Sequence, residues 1–227
     1  PEKVYEINLL SSISIVSVCI KFDIKNFVFA STSAVYGEPT YLPVDEEHPS
    51  FPISPYGLTK LAFEQYLQYL STISDNSYVI FRLPNVYGPR ANIKSPDFGF
   101  INYFIGLALH DQSLTIYGDG AQLRSVLYVQ DAIDALVLAA SSEFTGQVWF
   151  AANENSISVN EIASGIVAAC GSGEIINIEW PDDRKRIDVG DIVIDCSKIG
   201  GDLGWKAAVR LEDGLRDTII YWKSLRN

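Results

Sequence analysis

The 227 residues carry a formal charge of −11, with 48% apolar and 20% charged residues, the balance of a globular chain and not of a disordered one. That acidity disfavours non-specific binding to nucleic acid or to an anionic membrane, and no apolar stretch approaches the ~20 residues that a bilayer span needs. Three scattered cysteines, Cys19, Cys170 and Cys196, speak against a disulfide framework and against a metal site, and fit a cytoplasmic setting. Apolar residues at helical spacing (Val4, Ile7, Leu10, Ile15, Cys19) predict a helix from Pro1 to about Lys21. The run Asn26–Ala30 then reads as a buried strand, and a loop rich in Ser, Thr, Pro and Gly follows. Helix Tyr56–Leu70 and strand Tyr78–Leu83 repeat the alternation, which implies a parallel sheet covered on both faces.

Further along, a helix is predicted near Phe98–His110, a strand at Ser113–Tyr117, a Gly118–Gly120 hairpin turn and a strand at Arg124–Tyr128. Helix Val129–Ala140 and strand Gln147–Ala151 come next, then a capping box at Ser158 and Glu161 ahead of helix Ile162–Cys170. The tail reads as strand Ile192–Asp195 and helices Ser197–Leu203 and Leu211–Leu225. No Gly-rich phosphate turn of the G-x-G-x-x-G type occurs in the chain, and it contains no methionine, so residue 1 is not an unprocessed translation start.

The strongest chemical signal is Tyr56-Gly-Leu-Thr-Lys60. Residues four apart share a helix face, so phenol and ammonium point into one cleft. A fixed cation beside a tyrosine favours the phenolate and is expected to lower its pKa toward neutrality. Polar motifs follow two predicted strands, Ser31-Thr-Ser-Ala-Val-Tyr-Gly37 and Arg82-Leu-Pro-Asn-Val-Tyr-Gly88. Strand carboxyl ends are where open α/β sheets bind ligands.

The strings STSAVYGEP, LPVDEEHP, PISPYGLTK, FRLPNVYGPR and LTIYGDGAQLRSVLYVQDAIDAL, in this order, resemble the NAD-dependent epimerase/dehydratase family of extended short-chain dehydrogenases. The resemblance implies an α/β fold: a partial Rossmann-like doubly wound parallel sheet whose first strands are missing, with a smaller α/β substrate-binding domain. Residues 1–87 and 124–153 would form what remains of the NAD-binding domain, and 88–123 with 154–227 the nucleotide-sugar domain. It further implies Tyr56 as catalytic base, Lys60 on the nicotinamide ribose, and Thr32 on the reacting oxygen with Ser33 beside it. Asn8, Ser31 and Pro84 would meet the cofactor NAD. Asn85, Arg124 and Asp188 would meet the substrate, with a second basic contact from one of Arg184, Lys185 and Arg186. Ser33 and Ala34 stand where sugar dehydratases carry acids, which points to an epimerase of the UDP-glucose 4-epimerase type, working through a 4-keto sugar as a homodimer. Two alternatives stay open: a nucleotide-sugar dehydratase, and a non-catalytic remnant that binds a nucleotide sugar or a partner protein.

Overall fold

The computed structural model describes residues 2–74, 76–185 and 188–225, with the main chain alone at 183 and 184. Its helices are α1 (Glu2–Tyr5), α2 (Ser11–Lys21), α3 (Pro55–Ser71), α4 (Phe100–Leu109), α5 (Val129–Ala140), α6 (Val159–Cys170), α7 (Asp182–Lys185), α8 (Ser197–Leu203) and α9 (Leu211–Ser224). Its strands are β1 (Asn26–Thr32), β2 (Ser77–Leu83), β3 (Asn85–Tyr87), β4 (Leu114–Tyr117), β5 (Leu123–Arg124), β6 (Val126–Tyr128), β7 (Gln147–Phe150), β8 (Ile157–Ser158) and β9 (Ile175–Ile178). Two compact units result. One comprises Pro1–Pro84, Ile133–Ala151 and Ile194–Lys206, the other Asn85–Ala132, Ala152–Val193 and Ala207–Asn227.

In the first unit β1, β2 and β7 form a parallel sheet with β2 central. Their runs of Val, Ile, Phe and Trp suit a sheet buried on both faces. Helix α3 starts where Ser54 Oγ accepts from the Gly57 amide at 3.1 Å and Pro55 fills the first turn. Its apolar stripe of Phe63, Leu67 and Leu70 packs on Phe29, Tyr78 and Ile80 with Val16 of α2. The register sets Ser31 opposite Arg82 and Thr32 opposite Leu83.

α1 and α2 run into each other through a π-helical turn at Glu6–Leu10. The continuous helix Glu2–Lys21 is 20 residues long, its most apolar 18-residue stretch is only 6% buried, and its length and composition suffice to cross a membrane. This corrects the expectation that no stretch is long and apolar enough, since serines interrupt the apolar run in the sequence. Ser12, Ser14 and Ser17 each return Oγ to the carbonyl four residues back, at 2.9, 3.0 and 2.8 Å, which hides their polarity.

The second unit packs α4, α6 and α9 over Leu114, Ile116 and Val126 around a core that includes Ile105, Ile162, Ile166 and Leu215. β3 pairs with β6 and β4 with β9, both parallel, while β5 pairs antiparallel with β8. The capping box is present: Ser158 accepts from the Glu161 amide, and Glu161 accepts from the Ser158 amide.

Three expectations differ from what forms. Ile192–Asp195 is not a strand but two isolated bridges, Arg124 with Ile192 and Val44 with Ile194, because successive residues pair with different partners. Gly118 and Gly120 do take left-handed turn conformations, at φ 70° and 71°, yet the flanking strands pair with β9 and β8 and make no hairpin. β9 itself, four residues long, is too short for a periodicity to reveal. The expected domain segments and the compact units part at 85–87, 124–132, 152–153 and 194–206: the β3–β6 pair falls in the second unit, and Ile194 joins Val44 in the first.

Candidate active site

Thr32 is the last residue of β1, extended at φ −149° and ψ 150°. Its Oγ accepts from the Ala34 amide at 3.2 Å, leaving its proton free to donate. The Thr32 hydroxyl acts on the Tyr56 phenol, in the first turn of α3. Tyr56 keeps 43% of its surface open. Partial burial raises its pKa above the ordinary tyrosine value, and the Thr32 hydrogen bond pulls it back.

Lys60 stands one helical turn on. Its ammonium donates to the Ala30 carbonyl at 2.9 Å, 4.7 Å from the Phe29 ring centroid and 5.8 Å from that of Tyr56. Burial lowers the Lys60 pKa, and Glu64 opposes the fall. The expected lowering of the Tyr56 pKa by Lys60 is therefore corrected: the ammonium donates to a carbonyl and stands nearer the Phe29 ring than the Tyr56 ring, and Thr32 supplies the lowering influence.

Other predicted positions in this unit behave differently. Ser31 is buried and its hydroxyl donates to Glu64, so its main chain is what it can offer a ligand. Ser33 opens a 3₁₀ turn, and its carbonyl accepts from the Tyr36 amide at 3.1 Å. Asn8 lies in the π-helical turn, with Nδ2 donating to the Val4 carbonyl at 3.1 Å. Pro84 follows β2 directly.

The second unit holds the remaining positions. Asn85 opens β3 and donates from Nδ2 to the Ser125 carbonyl at 3.2 Å. Arg124 on β5 pairs with Asp188 at 3.2 Å and donates to the Leu123 carbonyl at 2.9 Å and to the Gly190 carbonyl. With its side chain 13% exposed, the guanidinium is fixed in place yet lines a cavity of about 500 Å³. Phe100, Tyr103, Thr115, Tyr117 and Gln122 share that wall. Aromatic faces, an amide and a buried cation suit a flat base joined to an anion. Reasoning from the sequence missed these five residues, since no spacing marks them as a set. Lys185 is exposed at the end of α7, while Arg186 lies outside the described residues.

Residues 1–151 match the model of the NAD dependent epimerase/dehydratase family. The chain is 38% identical over 221 residues to a candidate UDP-glucose 4-epimerase of Methanocaldococcus jannaschii, covering 96% of this chain and 70% of that protein. It is 28% identical to the dTDP-D-glucose 4,6-dehydratase of Bos taurus, of which it spans 61%. In structure it is similar to the UDP-glucose 4-epimerase of Thermotoga maritima crystallised with UDP-glucose. There the TM-score is 0.89 at 28% identity, over 98% of this chain and 71% of the other.

Proposed function

The chain belongs to the NAD-dependent epimerase/dehydratase family, and on that premise we propose that it carries the catalytic and substrate-binding residues of a nucleotide-sugar C4 epimerase of the UDP-glucose/UDP-galactose type. The observation that carries the reading is the Thr32–Tyr56–Lys60 constellation at the carboxyl end of β1. In this reaction the Tyr56 oxygen takes the proton of the sugar C4 hydroxyl while Thr32 Oγ holds the same oxygen. Bound NAD would supply the hydride acceptor and donor. The resulting 4-keto sugar turns over, and Tyr56 returns the proton once the opposite face has been reduced. The sum is redox-neutral.

The residues present fit one end of NAD. Lys60 keeps two ammonium hydrogens beyond the one on Ala30, enough for ribose hydroxyls. Tyr56, Asn8, Pro84 and the Ser31 main chain complete that end, whereas no Gly-rich turn in the sequence fits the pyrophosphate. On the substrate side, Arg124, oriented by Asp188, takes the diphosphate with Asn85 and Lys185 or Arg186, and the aromatic cavity takes the base. A dehydratase needs carboxyl groups beside the threonine to move a proton and expel water. Ser33 and Ala34 offer none, which favours epimerisation. Homodimerisation is part of the proposal, supported by the open apolar residues Ile7, Leu10, Ile15 and Val18 on the first helix. The sparse, scattered cysteines Cys19, Cys170 and Cys196 support a cytoplasmic setting.

The test supplies UDP-glucose with NAD and measures UDP-galactose. Turnover is expected in the parent and absent in Tyr56→Phe; turnover retained by that variant sinks the assignment. UDP binding without NAD uptake or turnover would instead favour a non-catalytic nucleotide-sugar-binding protein.

A further inference from the structure

One buried ionic cluster in the first unit touches neither Tyr56 nor Thr32, yet joins the elements that carry them. Glu64 lies on α3 one turn beyond Lys60 and two beyond Tyr56, and is 1% exposed. Its carboxylate accepts from Arg82 Nη2 at 2.7 Å and from Nε at 3.1 and 3.3 Å, and it also takes the Ser31 hydroxyl. Ser31 and Arg82 are register partners across β1 and β2, so one carboxylate spans both strand ends. Arg82 Nη1 in turn donates to the Tyr36 hydroxyl and, at 3.1 Å, to the Glu46 carbonyl, which ties in the loop that leaves Thr32.

This cluster is not needed merely to hold α3 to the sheet. Phe63 and Leu67, both fully buried, already do that against Phe29, Tyr78 and Ile80. Apolar contact is non-directional and tolerates sliding along the helix axis. A forked guanidinium–carboxylate pair is directional and does not. Burying two charges is a poor route to stability, since well-packed apolar replacements often do as well.

We infer that Glu64 and Arg82 are positioning residues, a register lock that sets α3 against the end of β1 so that Tyr56 and Lys60 stand beside Thr32, with Lys60 on the Ala30 carbonyl. The lock also keeps a carboxylate one turn from Lys60, which sustains its positive charge against burial. Its consequence for turnover rests on the epimerase reading; its consequence for geometry does not.

The experiment replaces both partners at once, Glu64→Leu with Arg82→Met, so that no lone charge is left buried. Three properties are read: the urea midpoint, the Tyr56 ¹³Cζ resonance assigned through Tyr56→Phe, and kcat and KM for UDP-glucose with NAD. The expected result is a midpoint close to the parent's, a shifted Tyr56 resonance as the first turn of α3 moves against the end of β1, and kcat lower by about 100-fold. KM is expected to stay within about threefold, since ground-state binding is untouched. A folded double variant with an unmoved resonance and an unchanged kcat overturns the inference. If the double variant fails to fold, Arg82→Lys decides, because it keeps the charge and loses the fork. A parent-like resonance and kcat in Arg82→Lys would make the pair merely structural. Should the parent itself show no turnover, the epimerase reading fails and the Tyr56 resonance alone judges the lock.

Discussion

Replacing Gly57 by Ala tests how closely α3 and the loop after Thr32 must approach. In an open helix Gly→Ala stabilises by about 1 kcal/mol, because it narrows the unfolded backbone's freedom. Here a new Cβ would stand 2.4 Å from the Ala34 carbonyl oxygen, 3.0 Å from its carbon and 3.1 Å from Pro52 Cβ. Ordinary contact begins at 3.4 Å, so the first turn of α3 and residue 34 must part by about 1 Å. The obstacle is main chain and a proline ring, so no flexible side chain can swing aside. Overpacking costs about 1–3 kcal/mol, which against the helix gain leaves a net loss of about 0–2 kcal/mol. Turnover is predicted to suffer more. Tyr56 adjoins Gly57, and Thr32 Oγ accepts from the Ala34 amide, so the parting moves Tyr56 away from Thr32, and a 1 Å misplacement costs about 10²-fold in rate. Urea unfolding and UDP-galactose formation measure the two effects. A variant stabilised by the full ~1 kcal/mol that still turns over at the parent rate refutes the reasoning.

Arg124→Met should weaken UDP binding by calorimetry about 10- to 100-fold, the worth of a charge-assisted hydrogen bond, while the fold persists; unchanged affinity would remove the diphosphate from this site. Hydrogen bonds from Ser158 to Glu161, side chain first and then main chain, hold the Glu161 pKa below the usual carboxylate value. Its stabilisation is therefore present above the unfolded-state pKa and lost as pH falls through the lower folded value. Glu161→Gln should flatten that part of the acid stability curve, and an unchanged curve would discount the capping box. Ile15→Asp places a charge on an open apolar helix face, 56% exposed in the parent. Sedimentation should shift from dimer to monomer; a parent that is already monomeric, or that partitions onto lipid vesicles, would reassign that face.

What could be read in the sequence was whatever a local period or a motif encodes. Asn26–Ala30 and Tyr78–Leu83 announce buried strands by continuous β-branched and aromatic runs, and Tyr56 and Lys60 are placed on one face by helical spacing alone. Glu64 follows the same spacing, yet its meaning depends on Arg82 and Ser31, 18 and 33 residues away. Only the strand register brings those two residues opposite one another. The cavity wall was illegible for a similar reason: Phe100, Thr115 and Gln122 come from a helix, a strand and the loop before β5. The upward direction of the Tyr56 shift is not legible in the sequence, because charge proximity is visible there and water exclusion is not.

The chain passes from one compact unit to the other at 84/85, 132/133, 151/152, 193/194 and 206/207. Neither unit is thus a contiguous gene segment that one cut could excise. Trp149 Nε1 donates to Asp202 at 2.8 Å, Lys198 reaches the Val148 carbonyl at 2.9 Å, and the Asp195 amide reaches Val44. On a ribosome adding about 5–20 residues per second, strands β1 and β2 would wait on the order of 6–25 s for those closing contacts. During that interval the nascent sheet depends on whatever shields its faces, so chaperone demand should be heaviest in the window before Lys206 emerges.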